Sequence, residues 1–187
     1  MTADAKSRWN PDRFDVRAFA QAGAELAADD PLARFARLAA EMAAGQEAQA
    51  RGVQWRVQGE QRPGVRGAEP SVWLHVQAQT VLPLVCQRCL APVDTPLTVD
   101  RWFRFVADED TAAAEDEDSD EDVLALEPRP SLRELVEDEL LMELPPVPMH
   151  EVCPEPLSPV DALAPADPAG ADTQRPHPFA GLARLKQ

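Results

Sequence analysis

Apolar and polar side chains alternate through the middle of the chain. Val53, Trp55 and Val57 alternate with Gln54, Arg56 and Gln58, the two-residue period of a strand with one buried face. After a turn region from Gly59 to Pro70, with Pro63-Gly64 inside it, Val72–Val81 alternates again and points Val72, Leu74, Val76 and Ala78 inward. Pro83 is expected to interrupt or end that strand. A third strand runs over Leu97–Val106, with Leu97, Val99, Phe103 and Phe105 on one face. Short connections between such strands favour an antiparallel meander.

Helical spacing flanks the strands. Phe14, Val16 and Phe19 begin a short helix or an edge strand. Asp30-Pro31 then reads as an N-cap and first helical position for a helix with Leu32, Phe35, Leu38, Ala39 and Met42 inward, ending near Gly45. The clearest helix spans Ser131–Leu144. Ser131 and Glu134 form a capping box, and Leu132, Leu135, Val136, Leu140 and Leu144 make the buried stripe. Glu137, Asp138 and Glu143 are assigned to the exposed side, and Pro145-Pro146 stops the helix. Between strands and helix, residues 107–122 are almost all Asp, Glu and Ala and read as a solvated, mobile loop. Val123–Leu126 adds a short strand or docking segment.

The pattern predicts an α+β fold: a small antiparallel β-sheet meander packed against helices, with an acidic loop and a Pro-rich C-terminal tail. Its expected divisions are an N-terminal turn and helix over 1–49, a sheet-plus-helix core over 50–154 and a linker over 155–175. A docking segment over 176–187 follows, with Phe179, Leu182 and Leu185 on one face.

Charge is unevenly placed. The net charge of −15 comes from residues 108–187, which carry 5 Lys or Arg against 21 Asp or Glu, while residues 1–107 are near neutral with 13 against 12. An acidic half suits basic partners, ribosomal proteins among them. Arginine almost excludes lysine in the first half, and its planar fork suits phosphate or carboxylate. Arg88, Arg101, Arg104 and Trp102 are candidate contacts to RNA or a protein partner, against the alternative of a solvated outer face. His75 reads as an outer-face residue. No apolar run is long enough to span a bilayer, and Met1–Lys6 starts no signal peptide, so a cytoplasmic protein without membrane contact is expected.

Three cysteines do not make a disulfide framework. Cys86-x-x-Cys89 and His150-x-x-Cys153 have knuckle spacing, and together they offer three thiolates and an imidazole, a structural zinc set. The set closes only if the segment after Pro148 returns beside the Cys86–Cys89 turn. Two other readings stand beside it. One is reduced cysteines packing as small apolar groups. The other is a redox pair, which the strand after Pro92 disfavours because no helix N-terminus follows the cysteines. No phosphate loop, nucleophile triad or zinc-protease signature is present, and no carboxylate pair stands out for catalysis.

Three stretches together resemble the YceD family, the large ribosomal RNA subunit accumulation proteins. They are Cys86–Pro92, Leu135–His150 and Pro178–Lys186, and the resemblance covers roughly residues 50–187. It implies a role in the synthesis, processing or stability of large-subunit ribosomal RNA, and no known catalytic activity. The family's cysteine pair falls on Cys86 and Cys89, and its C-terminal histidine and cysteine on His150 and Cys153. The resulting expectation is a non-catalytic factor that binds large-subunit rRNA or a ribosome assembly intermediate. The alternative is an acidic chaperone for a basic ribosomal protein that never touches RNA.

Overall fold

In a computed structural model of the chain, the alternating stretches form one five-stranded sheet. Residues 9–63, 70–117, 119, 121–126 and 130–154 are described. The chain divides into two compact units, Met1–Val152 and Cys153–Gln187. The architecture that follows is that of the first; of the second, only Cys153 and Pro154 are described. The expected linker over 155–175, the docking segment over 176–187, Met1–Lys6 and the 64–69 part of the turn region lie outside the described residues. Among the described residues no helix is long and apolar enough to cross a membrane.

The elements in order are α1 (Val16–Gln21), β1 (Glu25–Pro31), a 3-10 turn (Leu32–Arg34), α2 (Ala36–Ala40), a second 3-10 turn (Ala48–Ala50), β2 (Gly52–Arg62), β3 (Ser71–Val85), β4 (Pro92–Val106), α3 (Glu109–Asp116), β5 (Asp122–Ala125) and α4 (Leu132–Met142). The strands lie side by side in sequence order. β1 to β4 are antiparallel, and β5 adds in parallel to β4. The fold is α+β, with a mixed, mostly antiparallel sheet.

One face of the sheet carries Val53, Trp55 and Val57, then Val72, Leu74, Val76 and Ala78, then Leu97, Val99, Phe103 and Phe105, all buried. Leu132, Val136 and Leu140 of α4, with Phe19, Leu32, Phe35 and Leu38, belong to the same core. Each such side chain contributes about 1.5–3 kcal/mol by leaving water. α1 forms because Asp15 caps it, accepting from Ala18 N at 2.9 Å. It lies so close to β2 that a Cβ on Gly59 would sit 2.6 Å from Phe19 Cδ1 and 2.8 Å from Ala20 Cα. That explains a glycine in the middle of a strand.

Four expectations change. First, Asp30 does not cap a helix. It lies in β1 opposite Val53, and its carboxylate accepts from Trp55 Nε1 at 3.0 Å, Arg34 and Arg133. Charge-assisted bonds of this kind bring about 1.5–3 kcal/mol, against about 1 for a cap, so the strand wins and the helix is broken into a 3-10 turn and the short α2. The apolar stripe still faces the core.

Second, Pro83 does not end its strand. β3 continues to Val85, paired with β4 on one side. On the other side the Pro83 carbonyl accepts from Ala43 N at 2.7 Å. A residue's N and C=O point to the same side of a strand, so the missing N–H faces away from the β4 ladder and no ladder bond is lost.

Third, the acidic segment holds a helix. Asp108 caps α3 by accepting from Thr111 N, and the alanines favour helix. A strand added in parallel needs a crossover of a dozen residues or so, usually helical, and α3 is that crossover between β4 and β5. Fourth, Glu137 is buried. It accepts from the backbone N of Arg37 at 2.7 Å and of Leu38 at 3.1 Å, and it pairs with the Arg37 guanidinium. A carboxylate of α4 thus caps the N-terminus of α2, where the helix dipole favours an anion.

Candidate metal centre

β3 and β4 are joined by the Cys86–Ala91 turn. Cys86 N donates to Ala91 O at 3.0 Å, and Leu90 N donates to Cys86 O at 2.9 Å. Leu90 takes a φ of 62°, a left-handed conformation unusual for a branched side chain. The turn is thus closed by its own backbone, and it turns both cysteines to one side. α4 then delivers the second half. After Pro145 the chain bends at Pro146 and Val147 and passes the turn, where Gln87 N donates to Pro148 O at 2.9 Å. His150 follows, with Nδ1 3.4 Å from Cys89 Sγ.

The ligand atoms of Cys86, Cys89, His150 and Cys153 all lie within 4.8 Å of one another. An ion held tetrahedrally at about 2.3 Å from sulfur separates its ligands by about 3.8 Å, so small side-chain adjustments bring the four onto one ion. The donor set, three thiols and one imidazole, is of the structural type with no open position. Cys86 is buried, while Cys89 and Cys153 are half-buried, and none is in a disulfide. Burial alone would raise the Cys86 thiol. The N–H groups of Cys89, His150 and Arg88 and the His150 ring outweigh it and hold the thiol down at about 5. Cys86 therefore favours the thiolate form that a metal requires. The next element after the turn is β4, so no helix N-terminus faces the pair as a thioredoxin-like site would need.

The other predicted contact residues are dispersed. Arg88 is exposed at the tip of the turn and makes no ion pair among the described residues. Arg101 lies opposite Val76, nine positions along β4 from Pro92 and so about 30 Å from the turn. It points to the helix-covered face, where it pairs with Glu139 of α4 at 3.4 Å, Asp122 of β5 at 3.4 Å and Glu143 at 3.5 Å. Arg104 and Trp102 lie on the opposite face. Arg104 pairs with Glu115 of α3. The Trp102 ring stacks on His75 at 4.4 Å with 3° between planes, and Arg62 lies over Trp102 and Trp73 at 4.4 and 4.0 Å. His75 is held by Asp100, and Trp73 by Ser71. This layered group joins Arg62, Trp73 and His75 to Trp102, and the pairing of His75 with Trp102 was not read from the sequence. The signal was available: in a hairpin closing at Val85 and Pro92, His75 must face Trp102.

Glu139 was not singled out from the sequence. Its side chain is 6% exposed, and Oε2 lacks a hydrogen bond. Burial pushes its carboxyl up more than Arg101 brings it down, helped by Asp122, Asp138 and Glu143. A raised folded value means that stability is lost as pH rises from the ordinary carboxylate range through that value. Glu139→Gln is therefore expected to hold or raise stability at pH 7 and to flatten its dependence between pH 4 and 7, read by urea unfolding. A clear loss of stability at pH 7 would show instead that the Arg101 pair outweighs the burial.

The family model described as "Large ribosomal RNA subunit accumulation protein YceD" matches residues 74–186. Comparison with curated proteins and with solved structures gives no match.

Proposed function

Since this chain belongs to the YceD family of large ribosomal RNA subunit accumulation proteins, we propose that it serves large-subunit rRNA as a non-catalytic factor, by binding an assembly intermediate. The observation that carries this reading is the convergence of Cys86, Cys89, His150 and Cys153 on one point. A zinc ion held by the four would tie the β3–β4 hairpin to the segment after α4, and the turn would become a rigid presenter of Arg88. Arg88 is the one predicted arginine contact without a carboxylate partner among the described residues. Its planar fork suits an rRNA phosphate. Arg101 and Arg104 would have to leave their carboxylates before they could serve RNA, and Trp102 offers a ring already stacked on His75 and overlain by Arg62.

Zinc measured by mass spectrometry on protein purified without chelator should approach one equivalent per chain. Tagged wild-type protein should recover large-subunit rRNA at low salt, and Arg88→Ala should weaken recovery several-fold, lowering the salt slope by about one. Wild-type protein that recovers neither large-subunit rRNA nor ribosomal proteins would refute the reading. A second reading, an acidic chaperone for a basic ribosomal protein, is favoured by the engagement of Arg101 and Arg104 with carboxylates. It requires protein recovery that survives nuclease and is indifferent to Arg88.

A further inference from the structure

The large hydrophobic side chains that remain exposed among the described residues are Val81, Val85, Leu90, Met142, Val147, Met149 and Val152. Four of the seven adjoin the convergent ligands. Val85 precedes Cys86, Leu90 follows Cys89, Met149 precedes His150 and Val152 precedes Cys153. Each of the four convergent ligands is thus flanked by an exposed aliphatic or thioether side chain. Bringing the ligand atoms within 4.8 Å of one another gathers these neighbours around the same point. The 2.9 Å bond from Gln87 N to Pro148 O fixes the two halves against each other. Leu90 is 74% and Val152 84% exposed, so neither contributes to the core.

We infer that this end of the molecule is a docking surface for a basic polypeptide that inserts an apolar side chain among Val85, Leu90, Met149 and Val152. The inference rests on the reading that the four ligands close around a metal, and it names the partner of that site. Two observations favour protein over RNA as the occupant of the apolar part. Aliphatic side chains offer neither the donors that phosphate needs nor the flat rings on which bases stack. The charge is also acidic: Glu151 is exposed between His150 and Val152, and the chain carries −15. That field draws in a basic chain. A clustered apolar patch rimmed by charge is the usual mark of a protein-binding surface. In an assembly intermediate, Arg88 can meet a phosphate while its apolar neighbours meet protein.

The test uses the full-length, zinc-loaded chain with Leu90→Asp and, separately, Val152→Asp. The probes are the purified large-subunit ribosomal proteins, each in turn, and protein-free large-subunit rRNA. At least one of the proteins should bind the wild type, and each variant should weaken that binding at least about tenfold. Zinc content and thermal midpoint should stay as in the wild type, because both side chains are exposed. Part of the wild-type binding should persist at about 0.5 M salt, where screening leaves the apolar contribution. The inference is overturned if no ribosomal protein binds, if both variants bind like the wild type, or if their loss falls on rRNA instead. Sedimentation of the chain alone adds one more arm: self-association that the variants abolish would assign the patch to a second copy and overturn the inference. Cellular recovery of large-subunit rRNA with both variants bound normally would leave the function above standing and remove this surface from it.

Discussion

Cys86→Ser is expected to abolish zinc binding and to lower the unfolding midpoint by about 10 °C. His150→Ala is expected to do the same within a few degrees. The two side chains differ in every respect except the ligand set. Cys86 is fully buried, whereas His150 is half-buried in a segment without regular secondary structure. If the cysteines only fill space as small apolar groups, the alanine at 150 costs little and Cys86→Ala is milder than Cys86→Ser. If they hold a metal, both substitutions release the same tie between the β3–β4 hairpin and the chain after α4. A chelator settles which holds. It should bring the wild type down to the midpoint of the variants and leave the variants where they are. A wild type indifferent to chelator, with less than about one-tenth equivalent of zinc, would sink the metal reading. The tie is local: the core strands are packed without it, so the sheet itself should survive its loss and far-ultraviolet dichroism should change little.

Much of this arrangement can be read from the chain alone. Alternation placed Val53, Trp55, Val57, Leu74, Val76 and Phe103 on the buried face because antiparallel strands covered on one side leave a two-residue period. The metal set was legible because two short knuckle spacings use all three cysteines. Its closure was not, since it depends on α4 returning the chain to the turn. Other parts were hidden for physical reasons. Asp30-Pro31 has the form of a helix start, and only the arrival of Arg133 and Trp55 from distant segments converts the aspartate into a buried ion-pair partner. Glu137 looks like an exposed helix position until α2 presents its N–H groups to it. The acidic stretch repels itself as an isolated segment, but the parallel addition of β5 demands a crossover there. Arg101 is the opposite case. It falls in the inward series of Leu97, Val99, Phe103 and Phe105, so alternation alone excludes it from the outer face. What masked it was the habit of assigning arginine to solvent.

Arg133→Met is expected to destabilise the protein by about 3 kcal/mol at pH 7, measured by urea unfolding. Arg133 and Asp30 are each 11% exposed at the side chain. The pair links α4 to β1, and Arg133 also donates to Asp12 at 2.9 Å. Asp30 is further bonded to Trp55 and Arg34. Removing the arginine leaves a buried carboxylate with those weaker partners, and the cost is that of the stranded charge rather than the worth of the pair. Replacing both, as Asp30→Leu with Arg133→Met, should therefore recover part of the loss, although Trp55 Nε1 then lacks its acceptor. The pH dependence discriminates further. Burial works to raise the Asp30 carboxyl, but the bonds from Arg133, Trp55 and Arg34 outweigh it and leave it below its ordinary value. A lowered folded value contributes stability that is complete above the ordinary carboxylate range and is lost as pH falls through the folded value. In Arg133→Met the main cause of the lowering is gone, so burial prevails and protonation relieves the strain. The gap between wild type and variant should narrow from pH 7 towards pH 3. Protonation of the zinc ligands acts on both proteins alike and cancels in the difference. A gap that stays constant across that range would mean that Arg133 acts through packing against Phe35, which its guanidinium overlies at 5.6 Å, and not through its charge.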